Sequence, residues 1–135
     1  MSEIFDKEIV VDMLRQIAET LERVQCSFAA VTHADDFYAS DEGREKPDAI
    51  SMKLLAVGEI LKGIDRKTNK TLFAKYEGID WAGFMSLRDI IAHDYYNLNP
   101  VKIFEICSQE TKPLQKTVNR IINSQNSAPL QETQR

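Results

Sequence analysis

The sequence predicts an all-α fold, an antiparallel four-helix bundle, and three observations carry that prediction. Apolar residues recur at alternating steps of four and three in several separate runs, the period of a helix with one buried stripe. The breaks between these runs are short and hold Gly, Asn, Asp and Pro, the residues that start and stop helices. No segment shows the strict apolar-polar alternation of a half-buried strand, and short connections between helices favour antiparallel neighbours.

From Ile4 onward, Val10, Leu14, Ile17, Leu21, Val24, Phe28 and Val31 mark a long first helix. The segment His33 to Lys46 loses this period and gathers Asp35, Asp36, Ser40, Asp41 and Gly43, which reads as an acidic connection. Pro47 and Asp48 are expected to open the second helix, with Ile50, Leu54, Val57, Leu61 and Ile64 as its stripe and Gly63 as a stop signal. Asp65 to Gly78 is polar and basic, with Leu72, Phe73 and Tyr76 as anchors of a short helix or ordered loop. Asp80 is the expected N-cap of a third helix carrying Trp81, Phe84, Leu87 and Ile91. Asn97 to Asn99 break it, and Pro100 suits the first position of a fourth. Phe104, Cys107, Thr111, Leu114, Val118 and Ile121 form that helix's inner stripe, and Pro113 inside it predicts a kink or a split into two helices. The helical domain is expected over residues 1–123, with 124–135 as a flexible polar tail.

At 135 residues the chain suits one domain with a real core, and 43% hydrophobic against 28% charged residues is ordinary globular composition. No apolar run approaches the roughly 20 residues of a membrane span, and the first residues lack a basic-then-apolar leader, so a cytoplasmic protein is expected. Cys26 and Cys107 stand apart from each other and from any ligand-spaced histidine, which argues against zinc and disulfides and for reduced packing residues. Neither metal nor cofactor is expected. The net charge of −4 speaks against general nucleic-acid affinity, yet the charge is segregated. Lys62, Arg66, Lys67, Lys70 and Lys75 face the lone Asp65 in one segment, whereas acids dominate from Asp35 to Asp48.

The run Arg88-Asp89-Ile90-Ile91-Ala92-His93-Asp94-Tyr95 concentrates groups suited to phosphate chemistry. A guanidinium holds phosphate, an imidazole exchanges a proton near neutral pH, and a phenol donates a hydrogen bond or receives a covalent group. On a helix Phe84, Arg88, Ile91 and Tyr95 fall near one line, while His93 points ~140° from Arg88. An arginine within an apolar stripe needs an internal acid, a subunit interface or an anion-binding cleft. Asp89 and His93, four apart, share a face. The bland alternative makes Arg88 and Asp89 ordinary helix charges, His93 a helix C-terminal dipole partner and Tyr95 a core-edge residue. If Arg88 and His93 act on one phosphate, the helix bends after Ala92 or a second chain completes the site.

The stretch Ala49-Ile50-Ser51-Met52-Lys53-Leu54-Leu55-Ala56-Val57-Gly58-Glu59, then Ile79-Asp80-Trp81, the run just described and Pro113-Leu114 together resemble the HepT branch of the HEPN superfamily. The resemblance extends from helix one through helix four. It implies a homodimeric helical-bundle toxin that cuts RNA without metal, with arginine and histidine from both protomers lining a shared cleft. On that reading Arg88 and His93 are catalytic, Asp89 is a supporting residue, and Tyr95 is the site of AMPylation by a nucleotidyltransferase antitoxin, MntA. Adenylyl groups add bulk and negative charge, which would repel RNA phosphate.

Other candidates carry bland readings beside functional ones. Glu59 is either an inward ion-pair partner or a solvated helix acid, and His33 reads as a solvated loop histidine. Trp81 and Phe84 read as core rather than as base-stacking platforms. Lys67 and Lys70 are candidate RNA contacts, a docking surface for an acidic partner, or solvated charge. The function expected is a metal-independent endoribonuclease toxin. The alternative is a noncatalytic helical binding subunit that partners a nucleotidyltransferase.

Overall fold

Asp6 begins the first helix: its backbone is extended and its carboxylate accepts from the Ile9 N–H at 3.2 Å, satisfying one of the exposed donors of the opening turn. In the computed structural model, which describes residues 5–29, 31, 33, 36, 41–93 and 100–127, five α-helices follow in order: α1 Lys7–Phe28, α2 Asp41–Lys67, α3 Trp81–His93, α4 Pro100–Gln109 and α5 Thr111–Ser127. Side chains at 41–48, 88, 90–93, 100–102 and 126–127 lie outside that description. A single 3-10 turn, Phe73–Lys75, interrupts the connection between α2 and α3. Among the described residues there is no strand, and no helix is long and apolar enough to cross a membrane.

The apolar stripes read from the sequence form one core. Val10, Leu14, Ile17, Leu21 and Val24 of α1 and Ile50, Leu54, Val57, Leu61 and Ile64 of α2 are fully buried. They meet Phe84 and Leu87 of α3, Ile103, Ile106 and Cys107 of α4, and Leu114, Val118 and Ile121 of α5. The main packing partners are α2 with α3, α2 with α1, and α1 with α5, while α4 touches α5, α2 and α1 more lightly. Gly63, late in α2, lies against Met13, early in α1, so these two helices run antiparallel. An edge-to-face contact between Phe28 and Phe104, 5.1 Å apart, ties the far end of α1 to α4.

Four expectations about helix ends change. The second helix starts at Asp41, not at Pro47, because its opening turns hold Glu42, Arg44, Glu45 and Lys46 and carry no apolar period to reveal them. It also passes through Gly63 to Lys67. The stop is a Schellman motif: the Asn69 N–H donates to the Arg66 carbonyl and the Lys70 N–H to that of Asp65, with Asn69 at φ 54° in the left-handed region. The predicted last helix divides at Glu110 into α4 and α5, the split rather than the kink. Pro113 becomes the third residue of α5, where a missing N–H costs little because first-turn donors have no partner inside the helix. The buried Thr111 hydroxyl bridges the break by donating to the Cys107 carbonyl at 2.9 Å. Helix α5 continues into the segment read as a tail, through Ser127, and the rest of that tail lies outside the described residues.

Candidate active site

Helix α3 carries the arginine and histidine, and its position is fixed at three points. At its start the Asp80 carboxylate accepts from the Gly83 N–H at 2.9 Å, as expected of an N-cap. Next to the cap the Trp81 ring stacks on Phe73, centroids 4.2 Å apart and planes 15° from parallel, and its indole N–H donates to the Tyr76 carbonyl at 2.8 Å. Trp81 is thereby committed to anchoring the helix, as the core reading of it anticipated. One turn on, Gly58 of α2 faces the α3 backbone so closely that a Cβ there would stand 2.5 Å from the Phe84 carbonyl oxygen. A glycine inside a long helix disfavours it by about 1 kcal/mol, and here the missing side chain is what lets α2 and α3 touch.

Arg88 and His93 both have helical backbone, in the last two turns of α3, and their side chains lie outside the described part of the structure. Arg88 directly follows the buried Leu87 and comes four residues after the buried Phe84. Asp89 is exposed and lies four residues, about one helical turn, before His93 in the chain. Tyr95, with the whole segment 94–99, lies outside the described residues. Arg88, Asp89 and His93 therefore belong to the same helix.

The remaining candidates resolve more plainly. Glu59 is exposed and pairs with Lys62 at 3.9 Å along the surface of α2, the solvated-acid reading. His33 is exposed, and its backbone N–H donates to the Asp36 carboxylate. Lys67 and Lys70 are exposed around the end of α2. Cys107 is buried as expected, and burial pushes its thiol up to about 12. Cys26 corrects the packing reading: it is exposed and lines an open groove of about 560 Å³ with Glu19, Glu22, Arg23, Ser27 and Lys53, because it falls on the outer side of α1 between Val24 and Phe28. Among the described residues no three His, Cys, Asp or Glu side chains are grouped to hold a metal ion. Ser51 is buried with its hydroxyl unpartnered among the described residues.

Residues 13–121 match the family of HepT-like ribonucleases. The chain belongs to that family. The matched stretch runs from the second turn of α1 to the penultimate turn of α5 and so takes in every helix and the whole of α3. No solved structure matches the chain. HepT-like membership makes RNA the substrate class and ribonuclease activity the activity class, in agreement with the resemblance carried by the glycine-glutamate pair, the tryptophan and the arginine-histidine run.

Proposed function

We propose that the chain is an endoribonuclease toxin that works without a metal ion, as a homodimer, with Arg88 and His93 as its catalytic pair. The observation that carries this reading is the placement of both residues on α3 inside the HepT-like match. His93, as a neutral imidazole, takes the proton of a ribose 2′-hydroxyl, whose oxygen attacks the adjacent phosphorus as the bond to the 5′-oxygen breaks. The leaving oxygen receives a proton from an imidazolium, and the products carry a 2′,3′-cyclic phosphate and a 5′-hydroxyl. Arg88 stabilises the charge that gathers on the phosphoryl oxygens. Asp89 orients His93 across one helical turn. Because positions 88 and 93 diverge by ~140° on a straight helix, a cleft shared by two protomers gives one phosphate access to both kinds of side chain.

Regulation follows from Tyr95. A MntA-like nucleotidyltransferase antitoxin transfers AMP from ATP to its phenolic oxygen and releases pyrophosphate, placing bulk and negative charge two residues from His93. Lys67 and Lys70 are the candidate contacts to the RNA backbone, and the cytoplasm is where such a toxin meets its substrate.

Cleavage of single-stranded RNA in the presence of EDTA is expected from unmodified protein and not from His93→Ala or Arg88→Ala. Intact RNA with both wild type and His93→Ala would defeat the catalytic assignment. For regulation, intact mass should rise in multiples of AMP after co-expression with the antitoxin, and Tyr95→Phe should abolish the increase.

A further inference from the structure

Helix α5 has a cationic outer face. Its 17 residues contain Lys112, Lys116 and Arg120 and no acid, in a protein of net charge −4. The three cations are spaced by four, so they fall within about 80° of one another around the helix and rise ~6 Å at each step. All three are exposed, whereas Thr111, Leu114, Thr117, Val118 and Ile121 turn inward. The cationic stripe is thus set by the same helical period that builds the core.

A second element joins this face. The Arg120 guanidinium carbon lies 5.8 Å from the centre of the Tyr76 ring, which ties α5 to the connection 68–79. That connection holds exposed Lys70 and Lys75 against a single acid, Glu77. A guanidinium near an aromatic face has its planar fork of N–H donors still able to grip a phosphate bidentately, and Arg120 is exposed. The aromatic support also lowers the entropy lost when an anion binds.

We propose that the outer face of α5, continued by Lys75 beside the Arg120–Tyr76 contact, is a binding surface for the phosphate backbone of single-stranded RNA, carried on a different helix from Arg88 and His93. The ribonuclease reading is used only to choose RNA as the polyanion. The surface supplies affinity without reading sequence, since its contacts are to phosphate. It also gives a chain of negative net charge a local means of holding a polyanion, because charges farther off than a Debye length of roughly 8 Å are largely screened at physiological salt.

The test uses full-length protein and a labelled single-stranded RNA with 2′-O-methyl riboses, which cannot undergo 2′-hydroxyl attack, so binding is read apart from cleavage. Anisotropy titrations across a range of potassium chloride give the slope of log affinity against log salt. Lys116→Glu and Arg120→Glu should each weaken binding at low salt and flatten the slope by about 0.7, the value of one lost contact on a single strand. Arg23→Glu makes the same charge change on α1 between acids and should leave the slope intact. Lys116→Glu guards against a packing effect at Arg120, which rests on Tyr76. Wild-type affinity and slope in both α5 variants, or an equal loss in Arg23→Glu, overturns the surface. Cleavage of ordinary RNA by wild type in the same preparation keeps that result distinct from failure of the ribonuclease reading.

Discussion

At the scale of single residues, the position of α3 depends on an atom that is missing. A methyl group at position 58 would press on a main-chain carbonyl of the neighbouring helix, which cannot swing aside as a side chain could. Overpacking of this kind costs typically 1–3 kcal/mol, against about 1 kcal/mol that alanine returns in helix propensity. Gly58→Ala should therefore lower the thermal midpoint despite being the better helix former, and a raised midpoint would show that α2 and α3 do not approach so closely. The two cysteines offer a second residue-scale contrast. Cys107 holds its proton up to about pH 12 because burial penalises the thiolate, while Cys26 is exposed. In the unfolded chain the Cys107 thiol ionises near the ordinary value of 9.0, so the unfolded state loses the proton first and Cys107 contributes falling stability as pH rises from about 9 towards 12. At pH 8 a thiol reagent should label one cysteine per native chain and both after denaturation, as counted by intact mass. Prompt native labelling of both would contradict the burial of Cys107.

At the scale of elements, helix ends decide where the site residues fall. Asp80→Ala removes the side-chain cap at the start of α3 and should cost about 1 kcal/mol, with hydrogen exchange faster at Gly83 and Phe84. Unchanged exchange there would mean that the Trp81–Phe73 stack alone holds the helix start. The end of α2 makes the opposite case: Asn69 adopts φ 54°, so Asn69→Gly should be tolerated and Asn69→Ala should lower the midpoint. These ends also show what a sequence can reveal. Asp80 was legible because a carboxylate before an apolar run has a local partner three residues on. The end of α2 is not, because Gly63 resembles a stop while the actual stop uses Asn69, past the fully buried Ile64. The start of α2 is hidden for a different reason: residues 41–48 hold no large apolar side chain, so there is no apolar period to read. Arg88 and His93 stood out by chemistry and spacing. Gly58, by contrast, acquires its meaning only from a second helix, and the cationic face of α5 only from the loop that reaches Arg120.

At the scale of the whole molecule, the helix bearing the catalytic candidates and the helix bearing the cationic stripe pack on different partners, α3 against α2 and α5 against α1, yet one continuous core joins them. Leu14, Ile17 and Leu21 are fully buried only because α2 covers one flank of α1 and α5 another. Removing α5 takes away the fully buried Leu114, Val118 and Ile121 and uncovers the stripe they lie on. At about 1.5–3 kcal/mol for each large side chain, the loss from those three alone is comparable to the whole stability of a typical domain, roughly 5–15 kcal/mol. A chain ending at Glu110 should therefore keep some helix by circular dichroism but lose its cooperative melt and bind a hydrophobic dye, with protection from exchange lost in α1 and also in α2 and α3. The last of these is the discriminating observation. If α2 and α3 stayed protected while α1 alone opened, the hairpin that positions Arg88 and His93 would be an independent unit and the five helices would not share one core. Loss of protection in all of them would mean that the placement of the site on α3 depends on the far side of the bundle. Substitutions in α5 would then have to be checked for folding before any effect on RNA is assigned to the cationic face.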